Sequence, residues 1–360
     1  NCQGPNNSLC CNRRSVSPQS KCWRGILTMI NFQKAYTNLL SEDRGILLVL
    51  IGAVFIFELL GWIMQGQTFI FNSQRLFIII LQMAIIGIMA IGVTQIIIMA
   101  GIDLSGGSII AIAGLVAASL AQTSDNFRAV YPTLTDLPVI VPVLAGIAVA
   151  TLLGWFNGAV IAFTKIPAFI ATLAMLVIAR GLARGYTSGK QVSFFVEDFG
   201  VFGSGATPIW IFLSLALIFH ILLTTTVYGR HNYAIGSNEQ GARMAGINVK
   251  RHKMLVYSMA GFLYGIAAII QTSRAETAQS GTGLMWELDA IAAVVIGGTS
   301  LMGGVGRITG TIIGVLILGI ITSGFIFLRI DVFYIAIVKG IILVVAVVVD
   351  QYRHKNSHNR

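Results

Sequence analysis

Charge is scarce in this sequence. Asp, Glu, Lys and Arg together make up 11% of its 360 residues, against about 25% in a soluble domain. A water-soluble globule of this size could not cover its surface with so few charges. That disfavours a cytoplasmic enzyme, a disordered chain and a nucleic-acid-binding protein. Cysteine is confined to the extreme start, at Cys2, Cys10, Cys11 and Cys22. From Met29 onward there is none, so no disulfide can hold the body together. Period-2 alternation is missing as well, which excludes a β-barrel.

Catalytic signatures are equally sparse. No Walker A motif occurs. The nearest text is Ser188-Gly189-Lys190-Gln191, where the upstream glycine is out of place and Gln replaces the Mg-binding Ser/Thr. Gly304-Val305-Gly306-Arg307 lacks the strand and final glycine of a dinucleotide site. No H-E-x-x-H, G-x-S-x-G or Cys/His constellation is present, and no metal site is expected. His220 stands alone in an apolar run and reads as a packing or hydrogen-bonding residue, in preference to a proton relay.

What is present is apolar. Hydrophobic residues reach 56% and mean hydropathy is +0.82. Glycine, at 39 residues, is well above the usual share of about 7%; it is frequent where membrane helices pack closely. The fold class is therefore all-α, a polytopic transmembrane helical bundle. Apolar runs long enough or nearly long enough to cross a bilayer lie at about 46–64, 76–100, 108–122, 138–163, 167–183, 208–227, 254–273, 288–302, 308–328 and 332–349, ten in all. The third and eighth are short and flanked by glycine, and are read as full or as re-entrant. G-x-x-x-G spacings at Gly154/Gly158, Gly181/Gly185, Gly261/Gly265, Gly306/Gly310 and Gly310/Gly314 are read as close helix packing.

Residues 1–28 differ from the rest. They are polar, lack an apolar run, and carry Arg13, Arg14, Lys21 and Arg24 with no acid, four of the net charge of +10. They form neither a signal peptide nor a span. Their cysteines lack paired C-x-x-C spacing and a nearby histidine, against a zinc site. Met29 is expected as the natural start and 1–28 as an upstream-translated or non-native extension. Residues 29–45 then form a cytoplasmic N-terminus, 46–350 the transmembrane domain and 351–360 a cytoplasmic tail.

The positive-inside rule sets the orientation. The loop 229–253 carries Arg230, Arg243, Lys250, Arg251 and Lys253, and the tail carries Arg353, Lys355 and Arg360. Six spans before the loop and ten before the tail put both inside. Twelve Lys/Arg then lie inside against seven outside, and both termini are cytoplasmic.

The loop 229–253, GRHNYAIGSNEQGARMAGINVKRHK, is the most informative stretch. Ser237 followed by Gln240 matches a capping box, which predicts a helix of about eight residues closed by Gly246 in the left-handed conformation. Ala242, Ala245 and Ile247 fall near one face, with Glu239 and Arg243 elsewhere. The loop is either a small-residue helix that docks on a cytosolic partner or a solvated connector.

Four stretches in order resemble permease subunits of bacterial ABC importers for monosaccharides, the ribose, galactose and inositol systems. They are AIGSNEQGARMAGINVKRHK; Gly101-Ile102-Asp103-Leu104-Ser105-Gly106-Gly107-Ser108; Lys165-Ile166-Pro167-Ala168-Phe169-Ile170-Ala171-Thr172-Leu173 with Ala179-Arg180-Gly181; and Glu287 to Ser300, ELDAIAAVVIGGTS. In the second, Gly106 stands where Val or Ala is common. The resemblance covers about residues 40–352. It implies a fold similar to the larger, type II ABC importer permease. It also implies a second permease copy, a partner ATPase that carries ATP and Mg, and delivery by a periplasmic sugar-binding protein. No cofactor is expected on this chain, which is expected in the bacterial inner membrane. The loop at Asn126–Pro138 and the C-terminal third look most similar to inositol-type permeases, with ribose and galactose open. The family motifs carry over Asp103, Ser105, Pro167, Phe169, Thr172, Asp289 and Lys339. Coupling to the ATPase falls to Ser237, Glu239, Ala242, Arg243, Ala245 and Gly246.

Polar residues inside apolar runs need an explanation each. Asp103 either caps the following Ser105–Ser108 amides or pairs across to another helix, and Asp289 has the same two options. Lys339 needs a carboxylate such as Asp103, Asp289 or Glu58, unless it lines the pathway. Gln82, Gln95, Asn157 and Gln271 suit a neutral polyol path, or serve as interhelical hydrogen-bond glue. A secondary sugar carrier coupled to protons or sodium is the competing reading. It would want a carboxylate relay at mid-membrane, whereas most acids here fall near span ends.

Overall fold

The structure is a computed structural model that describes residues 45–127 and 129–358. The expected extension 1–28 and the segment 29–44 lie outside the described residues. The described chain is almost wholly helical: α1 (Gly45–Gln65), α2 (Ser73–Ile98), α3 (Gly106–Leu120), α4 (Ile140–Thr164), α5 (Ala168–Tyr186), α6 (Thr207–Thr225), α7 (Val227–Ser237), α8 (Glu239–Met244), α9 (Val249–Ala275), α10 (Trp286–Ile296), α11 (Ile308–Phe327) and α12 (Val332–His358). A two-residue antiparallel pair joins β1 (Val192–Ser193) to β2 (Thr277–Ala278), with Val192 opposite Ala278.

Local chemistry sets the ends. The Asn72 side chain accepts from the Arg75 amide at 3.0 Å and starts α2. Lys165 ends α4 in the left-handed conformation at φ 60°, and Pro167 directly precedes α5. Each of the ten apolar runs is a helix. Seven of them, α1, α2, α4, α5, α6, α9 and α11, are long and apolar enough to cross a membrane. The third and eighth runs are shorter helices. At 15 residues α3 is about 22 Å long, and at 11 residues α10 is about 16 Å, short of a hydrocarbon core of about 30 Å. The tenth run continues as helix to His358, through most of the segment read as a tail.

Burial separates the bundle into inside and outside. α2, α3 and α9 form its centre, with Ile88, Ile91, Ile109, Leu263 and Tyr264 fully buried. α1, α6 and α12 expose Leu48, Phe55, Ile63, Trp210, Leu217, Phe333 and Val344. Apolar side chains turned outward along whole helices suit lipid as the surrounding solvent. The tightest helix pair is α4 on α9. A Cβ added at Gly158 would lie 2.7 Å from the Met254 Cα, and one at Gly265 2.7 Å from the Ile147 Cα, while Gly154 meets the Tyr257 carbonyl and Gly261. The two G-x-x-x-G pairs interlock backbone to backbone. Gly310 and Gly314 pack in the same way on Gly297 and Ala293 of α10. Gly181 and Gly185 on α5 face open space.

Candidate functional site

The first site is the break between α2 and α3. Past Ile98 the chain turns through Ala100 in the left-handed region, at φ 59°, and leaves helical geometry until Gly106. Asp103 lies in this break and is fully buried. Its Oδ1 accepts from the Ser105 amide at 2.8 Å and the Ser105 hydroxyl at 2.6 Å, and its Oδ2 accepts from the Tyr264 hydroxyl at 3.1 Å. It orders the turn before α3 through Ser105 alone, without capping the amides that follow, and reaches across to α9 through Tyr264. The Ser108 hydroxyl goes instead to the Ser105 carbonyl. Asn157 on α4 donates to the Ser105 Oγ at 2.9 Å, and Thr172 on α5 donates to the Ile102 carbonyl at 3.2 Å. Helices α4, α5 and α9 therefore converge on the interruption between α2 and α3. Unsatisfied backbone cannot face lipid, so a break at this depth survives only inside protein.

The start of α10 meets this break. Gly107 and Gly283 touch backbone to backbone, and Glu287 lies against Gly107. Glu287 is buried, and its Oε2 has no hydrogen-bond partner. Arg180 on α5, also buried, donates to the Ser280 carbonyl at 2.6 Å and the Thr282 carbonyl at 2.7 Å, and so clamps the turn that leads into α10. Two short helices start at one place, each with its N-terminal amides free of intrahelical partners. Such broken helices place polar backbone and a positive dipole end inside a membrane. Glu287, Tyr264 and the Arg180 clamp were not singled out from the sequence. Arg180 lay within a quoted motif, but Tyr264 had no signal beyond an aromatic in an apolar run.

Lys339 on α12 donates to Asp289 Oδ2 on α10 at 2.8 Å. Glu58 is engaged elsewhere, accepting from the Phe69 and Ile70 amides and from Trp62. The amide candidates divide. Gln95 is fully buried; its Oε1 accepts from the Tyr228 hydroxyl at 2.6 Å, and its main-chain carbonyl accepts from Asn232 at 2.9 Å. Gln95 and Asn157 are therefore interhelical glue in this structure. Gln82 is exposed on the outer surface, beside Arg75 and Phe327. Gln271 is half-buried on α9. Pro167 and Phe169 are exposed at the start of α5.

The second site is the loop 229–253. It folds as α7, α8 and the first turns of α9, and differs from expectation in three respects. Ser237 is the last residue of α7, and Asn238 caps α8, its side chain accepting from the Gly241 amide at 2.8 Å. Asn matches Ser as a capping residue, but Gly241 then occupies N3, so the expected box with Gln240 is replaced by a single cap bond. α8 has six residues, not eight. Ala242 packs into the core while Ala245 is exposed, so the two do not share a free face. Gly246 follows at φ 85°, the left-handed exit. Met244 projects with 89% of its surface exposed.

Glu239 ties this loop together. It lies 2.9 Å from Arg243 Nη2 and 2.8 Å from Lys253 Nζ. Burial pushes its carboxyl up, but the Lys253 hydrogen bond and the Lys253 and Arg243 charges outweigh that and hold it below the usual range. α7 is joined to the α2 end through Gln95 and through Asn232, which lies 3.3 Å from His252 Nε2 of α9. The charged loop is thus bonded to the last turn of α2 at Gln95, and the membrane break follows directly after Ile98.

A bundle of apolar helices with two short helices at its core and a charged, hydrogen-bonded helical loop at one end is the architecture of a membrane transport subunit. The chain belongs to the family described as branched-chain amino acid transport system / permease component, whose model matches residues 75–347. Among curated proteins it is 42% identical over 289 residues to the ribose import permease protein RbsC of Escherichia coli (strain K12), covering 78% of this chain and 86% of that protein. The RbsC of Bacillus subtilis (strain 168) is 39% identical over 277 residues, 75% of this chain and 82% of that one. The galactose/methyl galactoside import permease protein MglC of Escherichia coli (strain K12) is 31% identical over 340 residues, 91% of this chain and 99% of that protein. No solved structure matches the chain. The four-motif resemblance to sugar importer permeases and the family membership agree.

Proposed function

We propose that this chain is the membrane-spanning permease subunit of an ATP-driven importer for a monosaccharide or cyclitol. The observation that carries this reading is the 42% identity to a ribose import permease over 86% of that protein's length. In this reading ATP and Mg reside on a separate ATPase, a periplasmic binding protein delivers the sugar, and two permease copies pair in the inner membrane with both termini cytoplasmic. The geometry supports the coupling role of 229–253. Met244 and Ala245 stand exposed at one end, and hydrogen bonds lead from α7 to Gln95 in the last turn of α2, just before the break. The sequence of the C-terminal third leans to myo-inositol; the higher identity to the ribose permeases than to the galactose permeases supports ribose ahead of galactose.

The test is uptake of radiolabelled myo-inositol, ribose and galactose into proteoliposomes that hold the permease, its ATPase and binding protein. Uptake of one of them is expected only with ATP. Uptake driven by a proton or sodium gradient in the absence of the ATPase would replace this reading with a secondary carrier.

A further inference from the structure

A groove of about 640 Å³ opens between the end of α4, the short helix α8 and the first turns of α9. Its lining holds four cations, Lys165, Arg243, Lys250 and Lys253, and a single acid, Glu239. Glu239 is already bound to Arg243 at 2.9 Å and Lys253 at 2.8 Å. Lys165 and Lys250 are left without a carboxylate partner among the described residues. Lys250 Nζ sits 5.1 Å above the Phe163 ring, which holds its charge at the lip of the groove. Four cations sharing one carboxylate repel one another, and an anion of two or more oxygens would relieve that repulsion.

Position identifies the anion. α4 and α9 are both membrane-crossing helices, and the groove lies where α4 ends and α9 begins. That is the level of lipid headgroups at either face of a bilayer. From the groove, α4 runs into the membrane with Phe163, Phe156 and Leu152 exposed along one stripe, at 63%, 50% and 63%, a track for an acyl chain. The groove's own apolar wall is Ile161, Ala162 and Ile166. We propose that this groove binds the phosphate headgroup of an anionic phospholipid, with Lys165 and Lys250 as its two free cations. The bound lipid bridges α4, α9 and α8 and holds the loop helix against the membrane face.

The experiment is native mass spectrometry of the permease with its ATPase, released from mild detergent after exposure to equal amounts of phosphatidylglycerol and phosphatidylcholine. Phosphatidylglycerol should be retained at least five-fold over phosphatidylcholine. K165Q/K250Q should reduce that preference below two-fold, and R230Q, an equal loss of charge per site on α7, should leave it unchanged. Melting curves supply an independent readout, with phosphatidylglycerol raising the midpoint of the wild type and not that of K165Q/K250Q. Unchanged retention in K165Q/K250Q overturns the proposal. Displacement of the lipid by excess inorganic phosphate assigns the groove to a soluble anion and also overturns it. Retention by the permease alone that vanishes once the ATPase binds makes the groove a protein-docking face and overturns it too. The assay gives the same answer whatever sugar the protein carries.

Discussion

A single cation in an apolar run constrains its surroundings more than any apolar residue does. Lys339 lies in such a run, and the structure joins it to Asp289 at 2.8 Å with both side chains largely buried. Removing one partner leaves the other charge buried alone, which costs about 3–5 kcal/mol, whereas neutralising both is close to neutral. Lys339→Met should therefore reduce the yield of folded permease in membranes, and Lys339→Met with Asp289→Asn should restore it. Equal yields for the single and double variants, read by fluorescence-detected gel filtration, would rule the pair out. The need for a partner was legible in the sequence, but the choice among Asp103, Asp289 and Glu58 was not, because each lies far away along the chain. Glu239 makes a different prediction. Its folded carboxyl is held below the ordinary 4.5, mainly by Lys253 against the opposing effect of burial. A depressed carboxyl stabilises above its unfolded value, and that contribution is lost as pH falls through the folded value. With 41% of its side chain exposed, the pair is worth at most about 1 kcal/mol. The melting midpoint of the wild type should fall more steeply below pH 4.5 than that of Glu239→Gln.

Helices were legible as runs, and their roles in packing were legible only in part. The G-x-x-x-G spacing alone does not say which glycines meet another helix. Gly154 and Gly158 meet α9 at backbone distance, and Gly181 and Gly185 meet nothing within 4 Å. Gly154→Val should accordingly abolish folded protein, while Gly181→Val should insert and fold normally. Equal membrane yields for both would contradict the α4–α9 packing. The short helix α8 carries the sharper lesson. Three-residue spacing put Ala242 and Ala245 on one face, yet α8 is less than two turns long and ends before Ala245, so helical periodicity does not extend to it. Ala242 is buried, and Ala242→Glu should damage the permease itself. Ala245→Glu alters only an exposed side chain, and should leave insertion intact while weakening ATPase co-purification and uptake. Gly246→Val must place a β-branched residue at φ 85°, a strain of about 1–3 kcal/mol, and should loosen α8 with the same outward phenotype. Full ATPase binding by Ala245→Glu would make the loop a connector.

At the scale of the whole molecule, composition alone established the bilayer and the bundle, because 11% charge leaves no other solvent for so much apolar surface. The joining of α3 and α10 at their starts could not be read from the sequence, since Gly107 and Gly283 are distant along the chain and meet through backbone. Sidedness can be measured directly, as the body from Met29 lacks cysteine. With the four leading cysteines replaced by serine, Arg230→Cys should react with a membrane-impermeant maleimide in inside-out vesicles only. Arg329→Cys, between α11 and α12, should react in right-side-out vesicles only. The reverse pattern would invert the topology. The contacts around the α2 end carry a mechanical consequence. Gly304 donates its amide to the Ile98 carbonyl at 2.8 Å, Gly236 of α7 packs on that same carbonyl, and Tyr233 donates to the Gly306 carbonyl at 2.8 Å. Side chains can slide past one another by changing rotamer, but Gly304 and Gly236 meet Ile98 main chain on main chain and have none to change. They behave as a keyed joint. A push on α7 is not absorbed there but is delivered whole to the foot of α2 and the turn before α11. The compliance that any alternating motion requires must then lie outside this joint.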